Sequence, residues 1–337
     1  MANETIVDIY CHIFPDKFFQ EMTRMAPRLG NIGARLRGVK KLFDLDERFR
    51  EMDQFGDYRE IISLPNPPIE DFAGSADAGL NLARIANDAM AELCTQHPAR
   101  FPTFVAALAL TDVAGSVKEA RRAVSQLGAG GVQIFTNIAG RPLDDPAFAP
   151  LFATMEELDA PIWLHPARTA DVPDYAAERK SRFEMWWCFG WPYETSVAMV
   201  RIALCGLFDR HPRLKIITHH LGGMIPFYDG RIGPGLQVLG SRTLDEDYSR
   251  ILPSLERPHL DYLHDFYADT ALFGGGVHAV RCGLEFFGTE HVVFATDTPL
   301  GPIAPTIARI RELDISDADR RNIFVGNAER LLGRKLA

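Results

Sequence analysis

Apolar runs of four to eight residues recur along the chain, separated by longer stretches in which apolar positions fall three or four apart. The runs are IVDIY (6–10), EIISLP (60–65), TFVAAL (103–108), GVQIFT (131–136), PIWLH (161–165), KIITHH (215–220), FYADT (266–270) and VVFATD (292–297). They are rich in Val, Ile, Phe and Tyr and mostly apolar on both faces, which predicts strands of a buried parallel sheet. Between them, residues 78–97 place Leu80, Leu82, Ile85, Ala89 and Leu93 on one stripe, the mark of an amphipathic helix. SVKEARRAVSQLG (116–128) opens on a Ser cap and ends at Gly, and 146–159 and 196–212 behave likewise. Strands and helices in alternation, eight times over, predict an α/β fold of the (β/α)8 TIM barrel type. A doubly wound open sheet competes, but no G-x-G-x-x-G follows the first strand.

The chain is expected to form a single domain over 1–337, with no internal repeat or linker. The basic, Gly-containing segment 27–41 and LFDLDERFREMDQFG after it read as an insertion behind the first strand, about 16–58. Residues 305–337 read as two closing helices. Composition changes this picture little: 47% hydrophobic and 24% charged residues are ordinary for a globular core. The formal charge of −9 argues against a nucleic-acid partner, yet leaves room for a small anionic substrate held by local arginines. Five cysteines without C-x-x-C spacing suggest reduced thiols. With no signal-peptide pattern and no apolar run of ~18–20 residues, a cytoplasmic protein without a membrane partner is expected.

Four polar positions stand where strands end: His12, His165, the pair His219–His220, and Asp297. A barrel gathers the C-terminal ends of its strands at one mouth, where catalytic residues collect. Imidazole nitrogens and a carboxylate suit zinc or a similar divalent cation, and three protein ligands leave a position open for catalysis. Each residue alone has an ordinary explanation, a hydrogen-bonded histidine or an Asp capping a turn. Their coincidence on strands one, five, six and eight carries the weight. His97, His211, His259 and His291 lie in polar or Pro-flanked contexts and keep the ordinary reading. Strand alternation lets only one of His219 and His220 face the interior. Gly222 and Gly223 then make a turn whose backbone NH groups either lie near the mouth or serve the turn alone.

VDIYCHIFP, RFREMDQFG, ALALTD, GVQI, IWLHP, W-P-Y-E-T, LKIITHHLGGMIPFYDGRI, FYADTA and VVFATDTPLG occur in this order along nearly the whole chain. Together they resemble the amidohydrolase-related metal-dependent decarboxylases, the family of 2-amino-3-carboxymuconate 6-semialdehyde decarboxylase and γ-resorcylate decarboxylase. The resemblance implies a metal site of His12, His165 and Asp297, with zinc expected ahead of manganese. It implies proton transfer by His220 and Asp297, and places at 219 a position that is usually small or apolar, so His219 is expected to matter mainly for stability. Arg231 matches an arginine that reaches a substrate carboxylate in a neighbouring subunit, which implies a homodimer or higher homo-oligomer. No counterpart of a second substrate arginine is found in 27–48.

Tyr10 stands where the family has His or Glu. It shares a side with His12, but a phenol of pKa near ~10 is a poor ligand at neutral pH. It could bind as phenolate, hydrogen-bond to metal-bound water, or mark a weakened site; the second reading is favoured. FEMWWCFGWP (183–192) brings three tryptophans, and Trp191 is the expected aromatic wall of a substrate pocket; core or subunit interface is the alternative. The expected activity is decarboxylation of a small aromatic or unsaturated carboxylic acid. A metal-dependent hydrolase of a C–C, lactone, ester or amide bond, or a hydratase, is the runner-up, and a metal-free binding protein the third reading.

Overall fold

A computed structural model describes residues 4–26 and 32–336, so residues 27–31 of the basic segment lie outside the described residues. Eight strands stand where the apolar runs place them: β1 (Ile6–His12), β2 (Tyr58–Ser63), β3 (Val105–Ala107), β4 (Gly131–Phe135), β5 (Ile162–His165), β6 (Ile216–Thr218), β7 (Tyr267–Asp269) and β8 (Val292–Val293). β1 pairs with β2 in parallel, and the other six form one parallel sheet in the order β8-β7-β6-β5-β4-β3. A parallel bridge, Ile62 with Phe104, spans β2 and β3. On the other side the Ile9 N–H donates to Phe294 O at 3.0 Å and the His12 N–H to Thr298 O at 2.7 Å. The architecture is a (β/α)8 barrel.

Val7, Ile9, Ile61, Val105, Trp163, Ile217 and Val293 meet in one buried cluster, six strands contributing, as inward positions of a small barrel must. The Trp163 indole N–H donates to Ile9 O at 3.0 Å across this core. Ala328, Leu331 and Leu336 join the same cluster from the C-terminal segment. A larger cluster packs the surrounding helices against the outer faces of the strands. The register of β1 slips between Asp8 and Cys11. This bulge shifts the phase of alternation, so Tyr10 joins Val7 and Ile9 in the interior cluster. Asp8 fastens the seam: its carboxylate accepts from Tyr58 Oη at 2.5 Å, Thr296 Oγ1 at 2.5 Å, and the Thr296 and Tyr10 N–H groups at 3.2 Å.

Helix boundaries depart from the sequence pattern where capping decides them. The helix expected from Ser116 begins at Val113, because Asp112 accepts from the Gly115 N–H; Ser116 is buried and bonds to Ala109 instead. The stretch 196–212 is two helices, Gly190–Leu204 and Leu207–Arg210, broken at Gly206 with φ +67°. An antiparallel hairpin, Asn137–Ile138 with Arg141–Pro142, was not expected. Between β1 and β2 lie helices Asp16–Met25, Gly33–Gly38 and Leu45–Met52. At the end of the chain, helix Ile303–Arg311 is followed by a second helical run that passes through a π turn at Asn322–Gly326. Among the described residues no helix is long and apolar enough to cross a membrane.

Candidate metal centre and active site

His12 closes β1, His165 closes β5, His219 follows β6 and Asp297 lies four residues past the end of β8. Each offers a ligand atom, and the four atoms lie within 4.8 Å of one another, all on buried side chains. His12 Nε2 stands 2.8 Å and His219 Nε2 3.6 Å from Asp297 Oδ1. All three of these atoms are buried without a hydrogen bond of acceptable geometry. Such groups cost free energy unless something satisfies them, and a cation between them would do so. The donor set of three imidazoles and one carboxylate therefore fits a divalent metal.

The outward nitrogens are each held. His12 Nδ1 lies 3.0 Å from Ser63 Oγ, and His165 Nδ1 2.8 Å from Pro166 O, which leaves the Nε2 lone pair of His165 for the centre. Asn66 Nδ2 donates to the same carbonyl at 3.0 Å. His219 Nδ1 lies 2.5 Å from Asp269 Oδ2, while Asp269 Oδ1 accepts from the N–H groups of His220 and Ala271. A carboxylate behind an imidazole fixes its tautomer and orientation toward a metal. Asp269, the last residue of β7, was missed in the sequence. Its signal was available, an acid at a strand end in FYADT.

His219 is a correction. Alternation admitted only one of the pair and the resemblance chose His220, but β6 ends at Thr218, so strand parity applies to neither residue. His220 takes φ +53°, and the two imidazoles lie 3.7 Å apart, centre to centre. His219 therefore joins the centre, and His220 lies against it from outside the four-residue cluster. His220 Nε2 is buried and unpartnered, and its ring lies 5.8 Å from Phe273. The turn after it is tight. Gly223, at φ +62°, gives its N–H to His220 O, and a Cβ there would come within 2.5 Å of Pro192 O. Asp297 sits at φ +66°, and a Cβ on Gly301 would come within 2.0 Å of Thr296 O, so the closing Gly of ATDTPLG lets this loop fold back.

Charge divides the histidines. Burial, with His219 and His12 adding to it, holds His165 well below its ordinary pKa; burial and His219 do the same to His220. Both are neutral at pH 7. Burial also opposes charge on His219, but the adjoining Asp269 outweighs it, with help from Asp297, and pushes His219 up to about 9. Burial would raise Asp297, yet His12 and His219 hold it well below the usual carboxylate range. A metal held by His219 would therefore have to expel its proton. Metal affinity is expected to rise about tenfold per pH unit between pH 7 and about 9, a slope that calorimetric titrations across this range would show and a flat profile would contradict.

Tyr10 is fully buried, its ring 4.4 Å from that of His219 and 5.2 Å from that of His12. Its hydroxyl donates to Gln133 Oε1 at 3.0 Å, and Gln133 Nε2 donates to Leu64 O. Burial, with Asp269 and Asp297 adding to it, pushes the phenol well above its usual value, which disfavours a phenolate. Tyr10→Phe is expected to keep most bound metal and to cost about 1–3 kcal/mol of stability, because Gln133 Oε1 loses its donor. Metal analysis and urea unfolding check both; an emptied site would make the phenol a ligand. Trp191 is buried, 5.7 Å from the His165 ring, and its indole N–H donates to Arg168 O. Trp187 faces Phe273 at 6.1 Å. Arg231 is exposed on the short helix Asp229–Ile232, apart from the contacts of the cluster.

Residues 7–334 match the sequence family described as amidohydrolase. The chain belongs to the amidohydrolase family. It is 33% identical over 304 residues to a γ-resorcylate decarboxylase of a Polaromonas species, covering 86% of this chain and 88% of the relative. It is 29% identical over 295 residues to a 2-amino-3-carboxymuconate-6-semialdehyde decarboxylase of Dictyostelium discoideum, covering 86% and 77%. Among solved structures, 5-carboxyvanillate decarboxylase of Sphingomonas paucimobilis matches with a TM-score of 0.82 and 28% identity, over 98% of this chain and all of that one. A dihydroxybenzoic acid decarboxylase of a Polaromonas species, with bound manganese and the inhibitor 2-nitroresorcinol, matches with a TM-score of 0.78 and 26% identity over 98% and 97%. The His/Asp cluster of this amidohydrolase and the metal of that neighbour both support a divalent cation.

Proposed function

We propose that the chain is a metal-dependent carboxy-lyase that removes CO2 from a small aromatic or unsaturated carboxylic acid. The observation that carries this reading is the convergence of His12, His165, His219 and Asp297 on one buried point at the barrel mouth, with ligand atoms left unsatisfied. The decarboxylases named above support the choice of reaction. Three nitrogen donors favour zinc ahead of manganese, although manganese in one neighbour supports either.

Bound there, a divalent cation supplies Lewis acidity and an anchor for the substrate carboxylate. The chain's own groups handle the proton. Decarboxylation puts a proton on the carbon that bears the carboxylate; the C–C bond then breaks, CO2 leaves, and the electron pair of that bond restores conjugation. Asp297 is held ionised, so it first takes up a proton, drawn from the substrate hydroxyl or from solvent, and then passes it to that carbon. Neutral His220, with Nε2 free, accepts a proton from a substrate hydroxyl or orients it. Trp191 flanks His165 and supplies an apolar wall for a ring.

Incubation with a panel of hydroxybenzoates, 2,6-dihydroxybenzoate among them, tests the reaction. CO2 released with the decarboxylated ring as sole other product is the expected result. Products that have gained the elements of water would replace this reading with the hydrolase or hydratase. Exposed Arg231, Phe227, Phe183 and Phe189 support a homodimer or higher homo-oligomer, which light scattering during gel filtration would establish or refute.

A further inference from the structure

We propose that Arg48 is a positioning residue for His12, acting from the segment between β1 and β2; this rests on the reading of His12 as a metal ligand. Arg48 lies on helix Leu45–Met52, which starts where the Asp44 carboxylate accepts from the Glu47 N–H. Its side chain is only 2% exposed. Nε donates to Glu60 Oε2 at 2.5 Å, and Nη1 donates to His12 O at 2.6 Å and to Lys41 O at 3.2 Å. The guanidinium also lies 5.8 Å from the centre of the Phe101 ring. So enclosed, Arg48 is not available to a substrate carboxylate.

Stability alone does not account for it. A buried ion pair is commonly no better than a well-packed apolar pair, because desolvation offsets its attraction. What Arg48 adds is a charged donor on one carbonyl. His12 is already fixed on two sides, by its N–H to Thr298 O at 2.7 Å and by Nδ1 near Ser63 Oγ at 3.0 Å. The first contact ties it to the loop after β8 that carries Asp297. The bulge between Asp8 and Cys11 loosens β1 just before His12, and the chain leaves the barrel just after it. Between bulge and exit, the 12–13 peptide plane sets the direction of the imidazole. Arg48 holds the carbonyl of that plane, and Lys41 O on the same nitrogen ties in the turn Lys40–Leu42.

Two variants test this. Arg48→Lys keeps a positive charge beside Glu60 but lacks the second nitrogen that reaches His12 O. Arg48→Leu with Glu60→Leu removes both buried charges together, so its melting temperature is expected to fall only by the loss of the donor to the His12 and Lys41 carbonyls. Both are expected to bind Zn2+ roughly 10–100-fold more weakly by calorimetry. In the metal-free proteins the His12 imidazole NMR signals, assigned through His12→Gln, are expected to move. Wild-type Zn2+ affinity with unmoved His12 signals, in either variant that folds, overturns the proposal. A wild type that binds no Zn2+ while the His12 signals still move in Arg48→Lys would instead sink the metal reading and leave Arg48 in its positioning role.

Discussion

His219→Ala is expected to lower metal affinity by at least ~10²-fold and to abolish CO2 release at micromolar metal, with His12, His165 and Asp297 intact. An outer partner alone is commonly worth 10–100-fold, and His219 offers a donor atom itself. Its Nε2 lies 3.6 Å from Asp297 Oδ1 with no hydrogen bond of its own, and Asp269 holds its other nitrogen. The variant also leaves the buried Asp269 without its ring partner, so its melting temperature should fall. Asp269→Asn separates the two effects, because the amide still fills the space but no longer sharpens the imidazole as a donor. Metal titration by calorimetry checks both variants. Full metal occupancy in His219→Ala would return this residue to a purely structural role.

His220→Ala is expected to do the opposite: to keep its metal and lose turnover by a factor of ~10²–10⁴, the usual worth of a general acid or base. His220 is stacked on His219, outside the four-residue cluster. Neutral at pH 7 and unpartnered at Nε2, it is poised to take or orient a proton and has no other bond to lose at that atom. Steady-state rates and metal content measured on the same preparation check this. Turnover within threefold of wild type would remove His220 from the proton path.

The contrast between these neighbouring histidines shows where sequence reasoning stops. The strands were legible because each is a short run apolar on both faces, and the candidate ligand positions were sought where strands end in His or Asp. Parity then failed at 219–220. It holds only while a strand lasts, and β6 gives way to a positive-φ turn that no periodicity announces. At Tyr10 the same argument gave the right side, since the slip between Asp8 and Cys11 still leaves Tyr10 and His12 facing the same way, their rings 5.2 Å apart. Asp269 and the Arg48–Glu60 pair were passed over for another reason. Nothing in RFREMDQFG, read as part of an insertion, or in EIISLP, read as a strand, marks a charge as buried, and only the fold shows Arg48 and Glu60 buried against each other.

Metal titration of chelated, purified wild-type protein reaches the central claim most directly. One Zn2+ or Mn2+ bound per chain, with CO2 release returning in proportion to occupancy, is the expected result. A protein that binds neither ion, with His219 staying protonated between Asp269 and Asp297 until the pH approaches about 9, would contradict it.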